Sequence, residues 1–290
     1  MSLLQGDSLL LKGDCLQAMK ALDDSSVDLI FCDLPYGQTS CKWDIIVPWE
    51  PFWEEIMRVK KVNTPVFFTT TTKFGVEIIN NCPKKCPFRY DIVWVKSTSA
   101  GFLCAKKMPM RKHEMIYVFY EKLPFYDLSS HQNKFIKKEE TGGATGYNTI
   151  YNNSNKTSTP ITKHPVKGQS TGQPRYDPPL PVSVVKEDKH TLYGEVKELG
   201  VPHTTTYDPP LPNSLLEIKS TRGKHSTEKP VALMEWILKY YSKEGDTVLD
   251  PTMGSGSTGV ACKNMNRKFI GIEKDDEIYE VAVNRLNHSL

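Results

Sequence analysis

The chain contains no apolar run of 18 residues, the length a bilayer-spanning helix needs. No basic stretch followed by an apolar one precedes Asp14, so the expectation is a protein neither secreted nor held in a membrane. Cysteine is scarce, at seven scattered residues, and the odd count argues for free thiols in a reducing compartment rather than a disulfide framework. Cys82 and Cys86 form the only close pair, and no metal site is expected from them. Strong charge of either sign is missing too: the formal net charge is +3, too mild to diagnose nucleic-acid binding by itself. The length, 290 residues, allows one large domain, or a domain with an insertion, and an ample core.

What is present is concentrated in two places. Val27-Asp28-Leu29-Ile30-Phe31-Cys32 reads as a buried strand, closed by Asp33-Leu34-Pro35-Tyr36. In open α/β sheets, ligands sit at that C-terminal edge. Pro35 fixes φ and has no N–H, so the neighbouring carbonyls are held stiffly without a local donor. An acceptor-only carboxylate, a rigid carbonyl and an aromatic ring fit a planar group bearing an exocyclic amine, such as a nucleobase. Alone, the stretch reads equally well as an ordinary strand exit.

The second place is Thr247-Val248-Leu249-Asp250, a short strand running into Pro251-Thr252-Met253-Gly254-Ser255-Gly256 and a helix that opens Ser257-Thr258-Gly259. Gly254 and Gly256 let the backbone turn sharply and approach a ligand. The hydroxyls of Ser255, Ser257 and Thr258 lie beside the unpaired amides of a helix start, which favour a carboxylate or phosphate. Lys268–Glu273 is a second strand ending in an acid, placed to accept ribose hydroxyls. Gly254-x-Gly256-x-x-Gly259 also matches a dinucleotide fingerprint, so an NAD-dependent oxidoreductase competes. Asp250-Pro251 weighs against it, because a carboxylate there suits an ammonium better than a pyrophosphate. A ligand with an ammonium, a carboxylate and a ribose is S-adenosylmethionine.

Together these residues resemble the amino-methyltransferases of DNA, which carry an Asp/Asn/Ser-Pro-Pro-Tyr tetrapeptide and a Phe-x-Gly-x-Gly cofactor loop. With the tetrapeptide first and the loop last, the order is similar to that of the permuted β class. The likeness extends to Lys12-Gly13-Asp14-Cys15, to Cys41-Lys42-Trp43-Asp44 and to His225-Ser226-Thr227-Glu228-Lys229-Pro230, and covers roughly residues 8–120 and 222–288. Leu34 replaces the first proline, and Thr252 stands where phenylalanine is usual, so the packing that ring supplies is not expected here.

The resemblance implies an α/β Rossmann-like fold, a mostly parallel seven-stranded sheet between helical layers. It places the catalytic domain at 1–120 and 222–290 and an inserted target-recognition segment at 121–221. It implies methyl transfer from S-adenosylmethionine to the exocyclic amine of a base flipped out of double-stranded DNA. Asp rather than Ser at the head of the tetrapeptide favours adenine N6 over the alternative, cytosine N4. Asp33 and the carbonyl of Leu34 or Pro35 would accept the amine hydrogens, Tyr36 would stack on the base, and Lys42 and Trp43 would line its pocket. Asp250 would face the methionine ammonium, Glu273 the ribose, and Asp14 with the backbone of Cys15 the cofactor's adenine. Thr227 and Lys229 would hold the methionine carboxylate, within a loop formed by Thr252, Gly254, Ser255, Gly256, Ser257 and Thr258. The plain alternative for Asp14 is a simple helix N-cap. The implied compartment is the cytoplasm of a bacterium, or of a cell infected by a phage or virus. A homodimer and a cognate restriction endonuclease stay open as partners. So do a DNA-binding protein without catalysis and a methyltransferase for RNA or for a protein glutamine.

Strands alternate with helices along most of the chain, which argues for a three-layer α/β sheet. Strands are expected at Leu9–Gly13, Val27–Cys32, Pro65–Thr69, Asp91–Lys96 and Met115–Tyr120, and helices at Cys15–Leu22, Trp49–Lys60, Lys73–Asn80, from Pro230 to Tyr241, and at Asp275–Asn287. Residues 121–221 break this rhythm. They hold a near-repeat, Tyr176-Asp177-Pro178-Pro179-Leu180-Pro181 and Tyr207-Asp208-Pro209-Pro210-Leu211-Pro212, whose copies read as polyproline turns rather than as second tetrapeptides. Residues 121–230 carry 15 Lys/Arg against 12 Asp/Glu, the chain's whole excess. Lys134, Lys137, Lys138, Lys163, Lys167 and Arg175 are the candidate phosphate contacts. A segment that serves only as a spacer is the plain alternative.

Overall fold

Side chains in the central strands alternate between two separate cores, one on each face of a sheet. In β3 (Leu29–Cys32), Leu29 and Phe31 enter one core and Ile30 and Cys32 the other. In β4 (Val66–Thr70), Phe67 joins the first core, while Val66 and Phe68 join the second. A strand buried on both faces reads as an unbroken apolar run, which is why these two are visible in the sequence.

The computed structural model describes residues 2–5, 7–38, 44–131, 211–220 and 228–288. The second core is covered by α1 (Cys15–Met19), α2 (Trp49–Val59) and α3 (Thr72–Asn81). The first is covered by α4 (Val231–Tyr241), α5 (Ser257–Asn264) and α6 (Asp276–His288). The remaining strands are β1 (Ser2–Gln5), β2 (Ser8–Lys12), β5 (Phe88–Ala100), β6 (Arg111–Phe119), β7 (Leu215–Glu217), β8 (Thr247–Asp250) and β9 (Lys268–Glu273). They form one sheet in the order β1-β2-β9-β8-β3-β4-β6-β5-β7. Pairing is parallel from β2 through β4 and between β5 and β7, and antiparallel for β1–β2, β4–β6 and β6–β5. No helix among the described residues is long and apolar enough to cross a membrane.

Three expectations change. Among the described residues the sheet has nine strands rather than seven, because β1 backs β2 at one edge and β7 lengthens the other along β5. Residues 215–217, near the end of the expected insertion, pair with the sheet, and the Trp94 indole fixes them by donating to the Ile218 carbonyl at 2.9 Å. Upstream, the Asp127 amide donates to the Tyr240 carbonyl at 2.7 Å, so the chain still follows α4 beyond residue 121. Finally, β5 does not stop at Lys96: it runs on through exposed small residues to Ala100 as a ribbon with β6.

The functional edge follows from topology. β8 continues through α5 to β9 on one side, and β3 through α2 to β4 on the other, so the order reverses between β8 and β3. Ligands of open α/β sheets bind in the crevice outside such a reversal. The pair registers Leu29 with Val248 and Ile30 with Leu249, and extending it sets Thr252 beside Asp33.

Close packing under the glycine turn gives a stability test. A Cβ on Gly259 of α5 would lie 2.7 Å from the Phe269 ring of β9 and 2.9 Å from Leu286 of α6. Gly259→Ala should cost roughly 1–3 kcal/mol by overpacking, measured by urea unfolding. An unchanged midpoint would show that this contact relaxes freely.

Candidate active site

Asp33 emerges from β3 into a cluster of charges drawn from three distant parts of the chain. Its Oδ2 pairs with the Lys229 ammonium at 2.6 Å. Its Oδ1 accepts from the Thr69 hydroxyl and lies 3.2 Å from the Tyr36 hydroxyl. Glu114 of β6 stands opposite, with Oε1 3.3 Å from the same ammonium and 3.1 Å from the Tyr36 hydroxyl. Lys96 of β5 completes the cluster at 2.5 Å from Glu114 Oε2. Among the described residues, two carboxylates and two ammonium groups thus balance in charge.

Burial alone would lower the Lys229 pKa, but Asp33 and Glu114 outweigh it and raise the value. Burial alone would raise that of Glu114, yet Lys229 and Lys96 hold it below the ordinary range. Burial, followed by the charges of Asp33 and Glu114, pushes the Tyr36 phenol well up, so it remains a donor. One face of Tyr36 packs on Phe74 at 4.9 Å between ring centres. Leu34 is buried beneath the tetrapeptide.

The glycine turn lies against this cluster. The Thr252 hydroxyl donates to the Asp33 carbonyl at 3.1 Å, so the two loops are directly bonded. Asp250 points into the start of α5, accepting from the Thr258 hydroxyl at 2.6 Å and the Thr252 amide at 3.1 Å. Gly254 and Gly256 take φ of 52° and 82°, in the left-handed region. Glu273, at the end of β9, accepts from the amides of Gly254 (3.0 Å), Lys274 and Asp275 (both 2.8 Å). Burial still raises its pKa, with those amides offsetting part of the effect. Asp14 caps α1 through the Leu16 amide at 3.1 Å, and the Gly13 amide donates to the Glu273 carbonyl at 2.9 Å. A Cβ built on Gly13 or on Gly254 meets nothing within 4 Å, so each glycine borders open space.

Glu273 is thus linked by hydrogen bonds both to the turn at Gly254 and to the strand end at Gly13, next to Asp14. Cys15 is buried beside it. The Lys229 ammonium lies between Asp33 and Glu114, which offer it two charges at once. Ser255 and Ser257 are engaged by Arg285, whose guanidinium lies 3.1 Å and 3.2 Å from their hydroxyls and 2.7 Å from Glu228. Sequence reasoning misses Glu114, Lys96, Thr69 and Arg285, because each acts through a partner far away in sequence. A charged residue inside a strand, as Glu114 is in Arg111–Phe119, is the available signal. Lys42, Trp43, Thr227, Lys134, Lys137, Lys138, Lys163, Lys167 and Arg175 lie outside the described residues.

The sequence model of the DNA methylase family matches residues 27–284. The Type II methyltransferase M2.LlaDCHI of Lactococcus lactis subsp. cremoris is 49% identical over 65 residues, 22% of this chain and 24% of that protein. The chain thus matches about a quarter of the length of that relative. The Type II methyltransferase M.HinfI of Haemophilus influenzae is 25% identical over 292 positions, 96% of this chain and 67% of its own length. The crystal structure of an M1.HpyAVI–SAM complex shares the fold, with a TM-score of 0.53 and 20% identity over 96% of this chain and 98% of the other.

Burial pushes the Asp250 carboxyl up to about 7, although Thr258 and Thr252 hydrogen-bond to it. Unfolded, it ionises near its ordinary value of 3.8. The folded protein therefore holds this proton more tightly, and the group's contribution to stability is lost as pH rises from about 4 to about 7. Asp250→Asn should remove the dependence, so stability relative to the wild type should improve between about pH 5 and pH 8, by on the order of 1–3 kcal/mol. Urea unfolding at both values measures this, and a gap independent of pH would mean the folded carboxyl ionises normally.

Proposed function

Because the chain belongs to the DNA methylase family, we propose that it methylates the N6 amine of adenine in double-stranded DNA, using S-adenosylmethionine. The observation that carries this reading is the hydrogen bond from Thr252 to the Asp33 carbonyl. It joins an amine-accepting tetrapeptide to a cofactor-shaped turn. Asp at position 33, where Ser is the other option, supports adenine over cytosine.

S-adenosylmethionine, when bound, supplies an electrophilic methyl group on a sulfonium. The residues around it divide the remaining work. Glu273, fixed by three backbone amides, presents its carboxylate to the ribose hydroxyls. The turn's hydroxyls are taken up by Asp33, Arg285 and Asp250, so its backbone amides are left to meet the anionic end. Asp33 keeps about a quarter of its side chain exposed, and among the described residues Oδ2 meets Lys229, so one amine hydrogen can be accepted there. A carbonyl of Leu34 or Pro35 accepts the other. An exocyclic amine is a poor nucleophile because its lone pair is spread into the ring. Two acceptors draw its hydrogens out of plane and localise the pair, and the Asp33 charge stabilises the cation that develops. Lys229, paired with Asp33 Oδ2 at 2.6 Å, holds that carboxylate in place at the reaction. Tyr36 stands ready to stack on the extruded base.

The test is transfer of labelled methyl from S-adenosylmethionine to unmethylated plasmid DNA, followed by nucleoside analysis and methylation-sensitive sequencing. N6-methyladenine at a fixed sequence is expected, and N4-methylcytosine alone would overturn the choice of base. Asp33→Ala should lose transfer by at least about a hundredfold while retaining cofactor binding; near-normal transfer would sink the mechanism. Glu273→Ala should weaken S-adenosylmethionine by roughly 10–100-fold in calorimetry, and an unaltered affinity would refute the ribose assignment.

A further inference from the structure

Four large apolar side chains stand exposed within nine residues of the β5–β6 connection: Phe102, Leu103, Met108 and Met110. Phe102 is 81% and Leu103 97% exposed. Gly101, at φ 93°, turns the ribbon into a short 3₁₀ segment, Phe102–Cys104, that carries both. A single exposed leucine says nothing, but a contiguous group on a protruding ribbon marks a contact surface. The flanks are cationic. Residues 97–113 include Lys106, Lys107, Arg111 and Lys112 and contain no Asp or Glu.

The placement of this ribbon is informative. β6 runs antiparallel to β4 with Met115 opposite Thr70, so its first residues project past the edge where β3, β4 and β8 end. The two arms leave that edge at Lys96 and Glu114, and those residues form the ion pair of the catalytic cluster. The ribbon therefore rises directly from the pocket that holds Asp33.

We infer that residues 97–113 form a DNA wedge: Phe102 and Leu103 enter the base stack beside the target, while Lys106, Lys107, Arg111 and Lys112 meet the flanking phosphates. This rests on the proposed methylation of duplex DNA. A base lifted from a duplex leaves a stacking gap, and apolar side chains inserted between base steps lower the cost of opening it. Charge selects the occupant. A second copy presenting the same ribbon across a two-fold axis would set cation against cation, whereas phosphates complement all four.

The probe is a duplex bearing the sequence mapped in the methylation test, with 2-aminopurine in place of the target base, which brightens on extrusion. The variants are F102A/L103A and K106A/K107A, at exposed positions where folding should be unaffected. F102A/L103A should lose at least fivefold of the fluorescence rise and at least tenfold of the methylation rate, with S-adenosylmethionine affinity unchanged. Methylation of a duplex whose target faces an abasic site should stay within twofold of wild type, because no stacked pair then needs opening. K106A/K107A should weaken duplex binding and reduce the salt slope of log K by about 2. Wild-type fluorescence and rate in F102A/L103A, or equal losses on the abasic duplex, overturn the wedge. So does a dimer-to-monomer change in sedimentation that accounts for the whole loss, which would make the ribbon an interface between copies. A wild-type protein that methylates no DNA overturns the enzymatic reading instead. The wedge is then judged by affinity for mixed-sequence duplex, and unchanged binding by both variants overturns it.

Discussion

A lysine ammonium held between two carboxylates organises the catalytic edge. Lys229 lies 196 residues after Asp33, yet the two form a 2.6 Å ion pair, and Glu114 from a third region completes the set. Isolated charges of this kind are costly to bury, and removing one partner from a buried pair typically costs about 3–5 kcal/mol. The four charges therefore stand or fall together. Each depends on a different strand or loop being in place, so the cluster tests the whole edge of the sheet.

The second constraint is the union of two loops across the β3–β8 junction. In the resembled family an aromatic residue usually stands at position 252. Here a threonine uses its hydroxyl to bond the backbone of Asp33 instead. Arg285 makes a parallel connection, since it engages the serines of the glycine turn and also Glu228, the neighbour of Lys229. The turn and the charge cluster are thus tied twice, once through each side of the crevice. A shift of the turn would be felt at Asp33, which suits a reaction whose rate depends on alignment of two reactants.

The central strands, their terminal acids and the glycine turn are legible in the sequence because each is a local pattern. Leu29–Cys32 is an apolar run ended by a carboxylate, and Thr247–Asp250 repeats that design with glycines following. The partners of those acids are not legible. Glu114 reads as a polar residue in an alternating strand, and only the antiparallel register of β6 against β4 brings it over Tyr36. Lys229 stands out in its motif, but a motif records that a cation is needed and omits which anion it meets. β7 escapes notice because three residues, Leu215–Glu217, carry too little periodicity to separate from the surrounding polar chain. The full length of β5 is hidden for a different reason: Ser97–Ala100 hold no apolar face, and they stay extended through pairing rather than burial.

The neutrality of the cluster carries a further consequence. On the proposed mechanism the Asp33 carboxylate calls for a matching cation, but a pocket with surplus positive charge would oppose the cation that develops on the amine. Two carboxylates matched by two lysines satisfy both demands. Such a pocket, however, exerts little long-range pull on a polyanion, because opposite charges a few ångströms apart cancel beyond a Debye length. Attraction to DNA has to come from charge placed outside the chemistry. The acid-free stretch from Ser97 to His113 supplies that charge while remaining joined to the pocket through Lys96 and Glu114. Separating the charges that draw the substrate from those that act on it lets each set be balanced for its own task.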